Sequence, residues 1–220
     1  MAQPVRLWFK KYGKAKFISH LDLNRTMIRA VRMAKLPIWY TEGFNKHPYI
    51  TFPAPLSIFV SGENEAMDFK ITNSIKFAEI RDKMNKVLPQ GIEVIKVSEP
   101  VMKVSMIHWA QYKIELLFEN CSSMETYEIL QSCKNAENLN IEKKTKKGSK
   151  IIDVKQYFMN ADICYNQTNT VIDIILPCGS TDNINPSLIL DAVQDYSDRK
   201  YQYTNITRLM LLNDKMEQFQ

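Results

Sequence analysis

No run of about 18 apolar residues occurs anywhere in this chain of 220 residues, which argues against a membrane-spanning helix. The opening segment, Met1-Ala-Gln-Pro-Val-Arg-Leu-Trp, lacks an apolar h-region, so we expect no signal peptide and a cytoplasmic protein. Glycine is scarce, with six in all. None of the patterns G-x-x-x-x-G-K-[ST], G-x-G-x-x-G or G-x-S-x-G occurs, so a glycine loop cradling phosphate and a nucleophile elbow are not expected. The four cysteines (Cys121, Cys133, Cys164 and Cys178) form no C-x-x-C pair and no cluster-binding triplet. They read as buried thiols of a reducing compartment, and we expect no metal and no cofactor held by this chain.

What is present is positive charge in one place. Nine of the first 35 residues are Lys or Arg, opposed only by Asp22, and to residue 50 the count is ten basic against Asp22 and Glu42, a net of +8. The whole chain is +5, so residues 51–220 carry 19 basic and 22 acidic side chains, a net of −3. Clustered positive charge favours an anionic partner.

The pattern of elements is α+β. Val5 to Lys11 alternates like a strand, with Val5, Leu7 and Phe9 on one side and Arg6, Trp8 and Lys10 on the other. Ser19 reads as an N-cap, with Asp22 three residues on. The helix it opens is expected to run to about Ala34 and to stop before Leu36-Pro37. Leu23, Met27, Ala30, Val31 and Ala34 share its apolar face, and Asp22, Arg25, Arg29 and Arg32 the opposite one. Tyr49 to Val60 is extended but broken by Pro53 and Pro55. A strand over Ala66 to Thr72, a helix over Ile75 to Leu88 and a strand over Ile92 to Val97 complete β-α-β-β-α-β.

Glu99-Pro100 marks a boundary. Trp109 to Phe118 reads as a strand and Ser122 to Cys133 as a helix. Leu139 to Lys144 reads as a strand entering a lysine-rich turn, with a short helix near Val154 to Phe158. Asn166-Gln-Thr-Asn169 joins two further strands, Pro186 opens a helix to about Tyr196, and Tyr201 to Leu211 closes the order. We therefore expect two tandem ferredoxin-like (β-α-β-β-α-β) sandwiches, 1–99 with the basic helix and 100–220 with a lysine-rich hairpin.

Arg25, Arg29 and Arg32 stand one helical turn apart, and the guanidinium fork matches phosphate oxygens. A solvated helix face usually mixes signs, whereas here only Asp22 opposes the stripe. Lys10, Lys16 and Lys46 add to the same segment. Lys143, Lys144, Lys146, Lys147 and Lys150 crowd around Gly148, either as a solubilising loop or as a hairpin tracking a phosphate backbone. His20 and His47, with Asp22 and Glu42, are the candidate acid–base groups, against a plain reading in which they cap, pack and bond loop carbonyls. Ser19, His20, Asp22, Tyr40, Glu42, Gly43, Phe44, Asn45 and His47 are the candidate pocket. The aromatics Trp39, Tyr40, Phe44 and Tyr49 serve either as core or as a stacking surface.

The run Lys16-Phe-Ile-Ser-His-Leu-Asp22-Leu-Asn-Arg25, then Arg29-Ala-Val-Arg32, Leu36-Pro37, Tyr40, Glu42-Gly-Phe-Asn45 and His47-Pro48, resembles the bacterial radical SAM-linked protein family, a domain of unknown function. Lys46, Tyr49 and Phe59 depart from it; Phe59 stands where the family usually has glycine. The resemblance implies a partner, since members occur fused to or encoded beside a radical SAM enzyme. The expected function is a non-catalytic RNA-binding accessory protein that presents a tRNA or rRNA to that separate enzyme. The alternatives are a metal-independent endoribonuclease-like enzyme using His20 or His47, and a pure protein-interaction module.

Overall fold

A computed structural model describes residues 2–145, 148–179 and 182–220, with the side chains of all these except 143–145. The chain is mixed α+β and divides into two compact units, 1–108 with 210–220, and 109–209. Every strand pairing whose register is described is antiparallel. Among the described residues no helix is long and apolar enough to cross a membrane.

The first unit runs β1 (Gln3–Lys11), a 3-10 turn (Gly13–Phe17), α1 (His20–Met33), β2 (Ile50–Thr51), β3 (Val60–Ile71), α2 (Phe77–Asn85) and β4 (Ile92–Ser98). β1 lies between β4 and β3, and the short β2 pairs the far side of β3. Val5 faces Phe69 and Leu7 faces Met67 across β1 and β3. These residues, with Phe9, Ile71, Leu23, Met27, Ala30, Val31, Ile80 and Met84, form the core beneath α1 and α2. The prolines at 53 and 55 hold the expected extended segment to a two-residue edge strand. β3 begins at Val60, earlier than the alternation at Ala66 suggests. α2 is shorter than expected: the side chain of Asn85 bonds both the N–H and the C=O of Val94 at 2.8 Å and ends the helix against β4. Gly91 follows with φ +92, where a Cβ would meet the Tyr12 carbonyl oxygen at 2.6 Å.

Arg6 and Trp8, on the side of β1 opposite Val5, Leu7 and Phe9, do not face solvent. Both are buried, at 1% and 4% exposure, because the second face of β1 is covered by the C-terminal segment. The Arg6 guanidinium donates to both Asp68 oxygens at 2.7 Å and to the carbonyls of Met102 at 3.1 Å and Gln220 at 2.8 Å. The Phe219 ring lies 4.2 Å from its centre and packs edge-on against Trp8. Residues 100–108 and 210–220, placed by the sequence with the second half, fall in the first unit.

The second unit runs β5 (Trp109–Phe118), α3 (Ser123–Asn135), β6 (Asn140–Thr145), β7 (Gly148–Asp153), α4 (Lys155–Phe158), β8 (Asp162–Tyr165), β9 (Thr170–Pro177), α5 (Pro186–Ser197) and β10 (Tyr201–Leu212), of which 201–209 belong here. The sheet order is β10-β5-β9-β8, and β6 with β7 forms a separate hairpin. α3 carries a full capping box between Ser122 and Glu125. Asn185 caps α5, with Pro186 in its first turn. Asn166 Oδ1 accepts from the N–H groups of Thr168 and Asn169 and turns β8 into β9. The cysteines are free, but only Cys133 and Cys178 are buried, Cys164 being exposed and Cys121 half-buried. Burial pushes the Cys133 thiol up to about 11.

Arg6 is buried and Asp68 is 20% exposed, so removing the arginine leaves a largely desolvated carboxylate without its partner, at a cost of about 3 kcal/mol. Arg6→Met is expected to lose that much in urea unfolding; a loss within about 0.5 kcal/mol, the range of a surface change, contradicts this account of β1.

Candidate functional site

α1 is built as its sequence dictates. Ser19 Oγ accepts from the Asp22 N–H, and at the other end Lys35, with φ 50, allows Leu36 N–H to reach Val31 O and Lys35 N–H to reach Arg32 O before Pro37. Leu23, Met27, Ala30 and Val31 are buried at 2% exposure or less. That burial leaves Arg25, Arg29 and Arg32 exposed.

Arg25 approaches Asp22 at 3.4 Å, an exposed pair of little energetic weight. The Asp22 carboxyl sits below its ordinary range because the Ser19 hydroxyl bonds it and because Arg25 is near. Among the described residues Arg29 and Arg32 form no ion pair within 4 Å. Arg29 also lines a groove of about 270 Å³ with Thr26, Ala30, Met33, Val87 and Pro89. Arg29 thus places a guanidinium able to take an anion bidentately next to the apolar side chains of Ala30, Met33, Val87 and Pro89.

The other cations divide. Arg6 and Lys11 are buried and belong to the fold. Lys10 pairs with Glu63 at 2.6 Å, and that hydrogen bond and charge raise its pKa. The Lys16 ammonium lies 5.4 Å from the Phe17 ring. Lys46 is exposed in the loop before Pro48. In the β6–β7 hairpin Lys143 is in register with Lys150, which is exposed. The side chains of Lys143 and Lys144, and all of Lys146 and Lys147, lie outside the described residues.

The candidate pocket residues fall into two sets. Ser19, His20 and Asp22 form the cap and first turn of α1; Tyr40 to His47 form a closed loop. In that loop Thr41 N–H donates to His47 O at 2.9 Å, and His47 N–H donates to Thr41 Oγ1 at 3.2 Å. His47 Nδ1 lies 2.9 Å from the Asn45 carbonyl, so Nδ1 carries the proton of that bond. Gly43, with φ +123, makes the tip, and Phe44 beside it is fully exposed. Trp39 and Tyr49 pack edge-to-face at the loop's base, with the Lys70 ammonium 5.6 and 6.0 Å from their rings. Glu42 and Asn45 are exposed near the tip. No hydrogen bond, ion pair or ring contact joins the two sets among the described residues. No three of their His, Cys, Asp and Glu side chains gather as a metal-holding group among the described residues.

His20 packs edge-on to Phe52, with ring centres 5.1 Å apart. Its Nδ1 and, one turn later, Asn24 Oδ1 are buried without hydrogen-bond partners. Burial, then the nearby charge of Lys11, lowers the His20 pKa. Two features of this region were not foreseen from sequence. One is the groove. The other is Phe59, which lies at φ 70, where a glycine would fit without strain, and pairs with Phe17. The only sequence signal for the latter was its departure from the glycine usual in the resembling family.

The chain matches, over residues 5–186, the family described as an uncharacterized protein conserved in bacteria (DUF2344), and it belongs to that family. No curated protein matches it.

A histidine whose folded-state pKa is depressed binds its proton more readily when unfolded. Its effect on stability is therefore absent above the ordinary value of 6.5 and grows as a loss when pH falls through it toward the folded pKa. We expect the His20 ring resonance in an NMR titration to have a midpoint below 6.5, and a midpoint at or above it contradicts the packing given to this ring.

Proposed function

We propose that this member of the DUF2344 family is a cytoplasmic, non-catalytic RNA-binding protein that presents a structured RNA to a separate radical SAM modification enzyme. The observation that carries the RNA half is the face of α1. Arg29 and Arg32 are exposed and unpaired among the described residues, and Arg29 edges an apolar groove. Guanidinium groups one turn apart repel one another and return nothing to the fold when no carboxylate answers them, whereas a phosphate chain answers all of them. Contacts of this type hold the nucleic acid in place without reading its sequence.

The finer fold reading is compatible with this proposal. Residues 1–108 carry strands in the order β4-β1-β3 with β2 beyond β3, and the second unit repeats the order as β10-β5-β9-β8. We read each as a ferredoxin-like sandwich, the second with the β6–β7 hairpin and α4 inserted after α3. Such sandwiches serve many ligands, so the fold permits RNA without requiring it. The partner half of the proposal rests on the resemblance to the radical SAM-linked family.

Fluorescence anisotropy with labelled tRNA, against a DNA duplex of similar charge, tests the RNA half. Each phosphate contact contributes about 0.7 to 0.9 to the slope of log affinity on log salt. Replacing Arg25, Arg29 and Arg32 by Glu is expected to lower that slope by about 2 to 3 and affinity by at least tenfold, with the unfolding midpoint unchanged. Equal RNA affinity after the reversal overturns the proposal. Failure to co-purify with a radical SAM enzyme overturns the partner half alone.

A further inference from the structure

Phe17 and Phe59 are an aromatic pair in solvent. They are 54% and 59% exposed, with ring centres 6.0 Å apart and planes at 73°. Phe59 occupies the third position of the turn Ser57–Val60, closed by Val60 N–H to Ser57 O at 3.4 Å, and takes φ 70 there. A left-handed backbone disfavours any residue with a Cβ, and bulky ones most. Glycine would serve the turn better, and so exposed a ring adds little to the core. Lys35 takes a positive φ to end α1, but neither the backbone nor the interior explains a phenyl group at Phe59, and strain of this kind clusters at ligand sites.

The pair is held from two sides. Phe59 N–H donates to Lys16 O at 2.8 Å, which ties the turn to the 3-10 segment carrying Phe17. The Lys16 ammonium lies over the Phe17 ring and Lys14 is exposed two residues before it. The same segment runs through Ser19 into the arginine helix. Aromatic faces flanked by ammonium groups complement a partner that joins flat apolar rings to negative charge. A nucleotide has both, and its base is free to stack only where it is unpaired.

We propose that Phe17 and Phe59 form a stacking platform for an unpaired nucleobase, with Lys14 and Lys16 on the neighbouring phosphates. This deepens the RNA-binding reading and rests on it. The RNA that fits is one with a loop or a single-stranded end; a continuous duplex engages the arginine face and leaves the rings idle.

The test uses a single-stranded RNA of about 12 nucleotides carrying 2-aminopurine, beside a blunt RNA duplex, with the full chain and its Phe17→Ala, Phe59→Gly and Arg29→Glu/Arg32→Glu variants. The expected result is quenching of 2-aminopurine by the wild-type protein. Phe17→Ala and Phe59→Gly should each lose the quench and about tenfold in single-strand affinity, and keep duplex affinity. Their unfolding midpoints should stay level, or rise for Phe59→Gly. Arg29→Glu/Arg32→Glu should weaken both ligands. If the two Phe variants bind and quench like wild type, the platform is wrong and the arginine reading stands. If the wild type binds neither RNA, both fall. Capture of a protein partner that needs the two rings, without any RNA binding, overturns the platform in favour of a protein-docking patch. Unfolding of both Phe variants overturns it as well, since the rings would then be structural.

Discussion

A buried guanidinium organises the first unit. Arg6 lies on the central strand β1, and its fork is taken by Asp68 on β3 while its remaining donors reach Met102 and Gln220. One side chain thus joins two strands, the segment leaving β4 and the C-terminal residues, under the ring of Phe219. Such an ion pair is stable because Nε, Nη1 and Nη2 all find acceptors, four bonds in total, and the same burial would be costly for a poorly satisfied group. With β1 covered on this face, its other face is free to receive α1, and α1 in turn has only one way to bury Leu23, Met27, Ala30 and Val31. The exposure of the arginine stripe is a consequence of that packing.

The basic N-terminal segment therefore holds two kinds of charge. Arg6 and Lys11 are nearly inaccessible, and Lys10 is joined to Glu63. Arg29, Arg32 and Lys46 face solvent without an ion pair among the described residues. A count of positive charge along the sequence merges these classes, and only burial separates them. The loop at 41–47 adds a second kind of display. Its backbone is closed by Thr41 and His47, its tip turns at Gly43, and Phe44 projects from it. Phe17 and Phe59 are exposed as a contacting pair, whereas Phe44 is exposed singly.

Much of this was legible from local chemistry. Ser19, the apolar spacing of α1 and Leu36-Pro37 bound the helix to within a residue or two, because cap, core face and stop signal agree. Asn166 and Pro186 marked their turn and helix for the same reason. The misses are mostly tertiary. Alternation in β1 could not tell that Arg6 and Trp8 face a protein segment more than 200 residues away in sequence instead of water. The end of α2 is set by Asn85 reaching Val94, a contact with no local signature. The left-handed turn at Phe59 is invisible to residue preferences, which argue against Phe there. At the site, the spacing of the arginines was readable, but the groove beside Arg29 needs α1 and the 87–89 turn to meet.

The division of the arginines into structural and ligand-facing classes is the central claim, and side-chain NMR tests it residue by residue. Titration of the protein with tRNA, followed through the arginine Nε–Hε resonances, should shift and broaden Arg25, Arg29 and Arg32 and leave Arg6 in place. Unmoved α1 arginines in an RNA-saturated sample, or movement confined to residues elsewhere, would contradict the account.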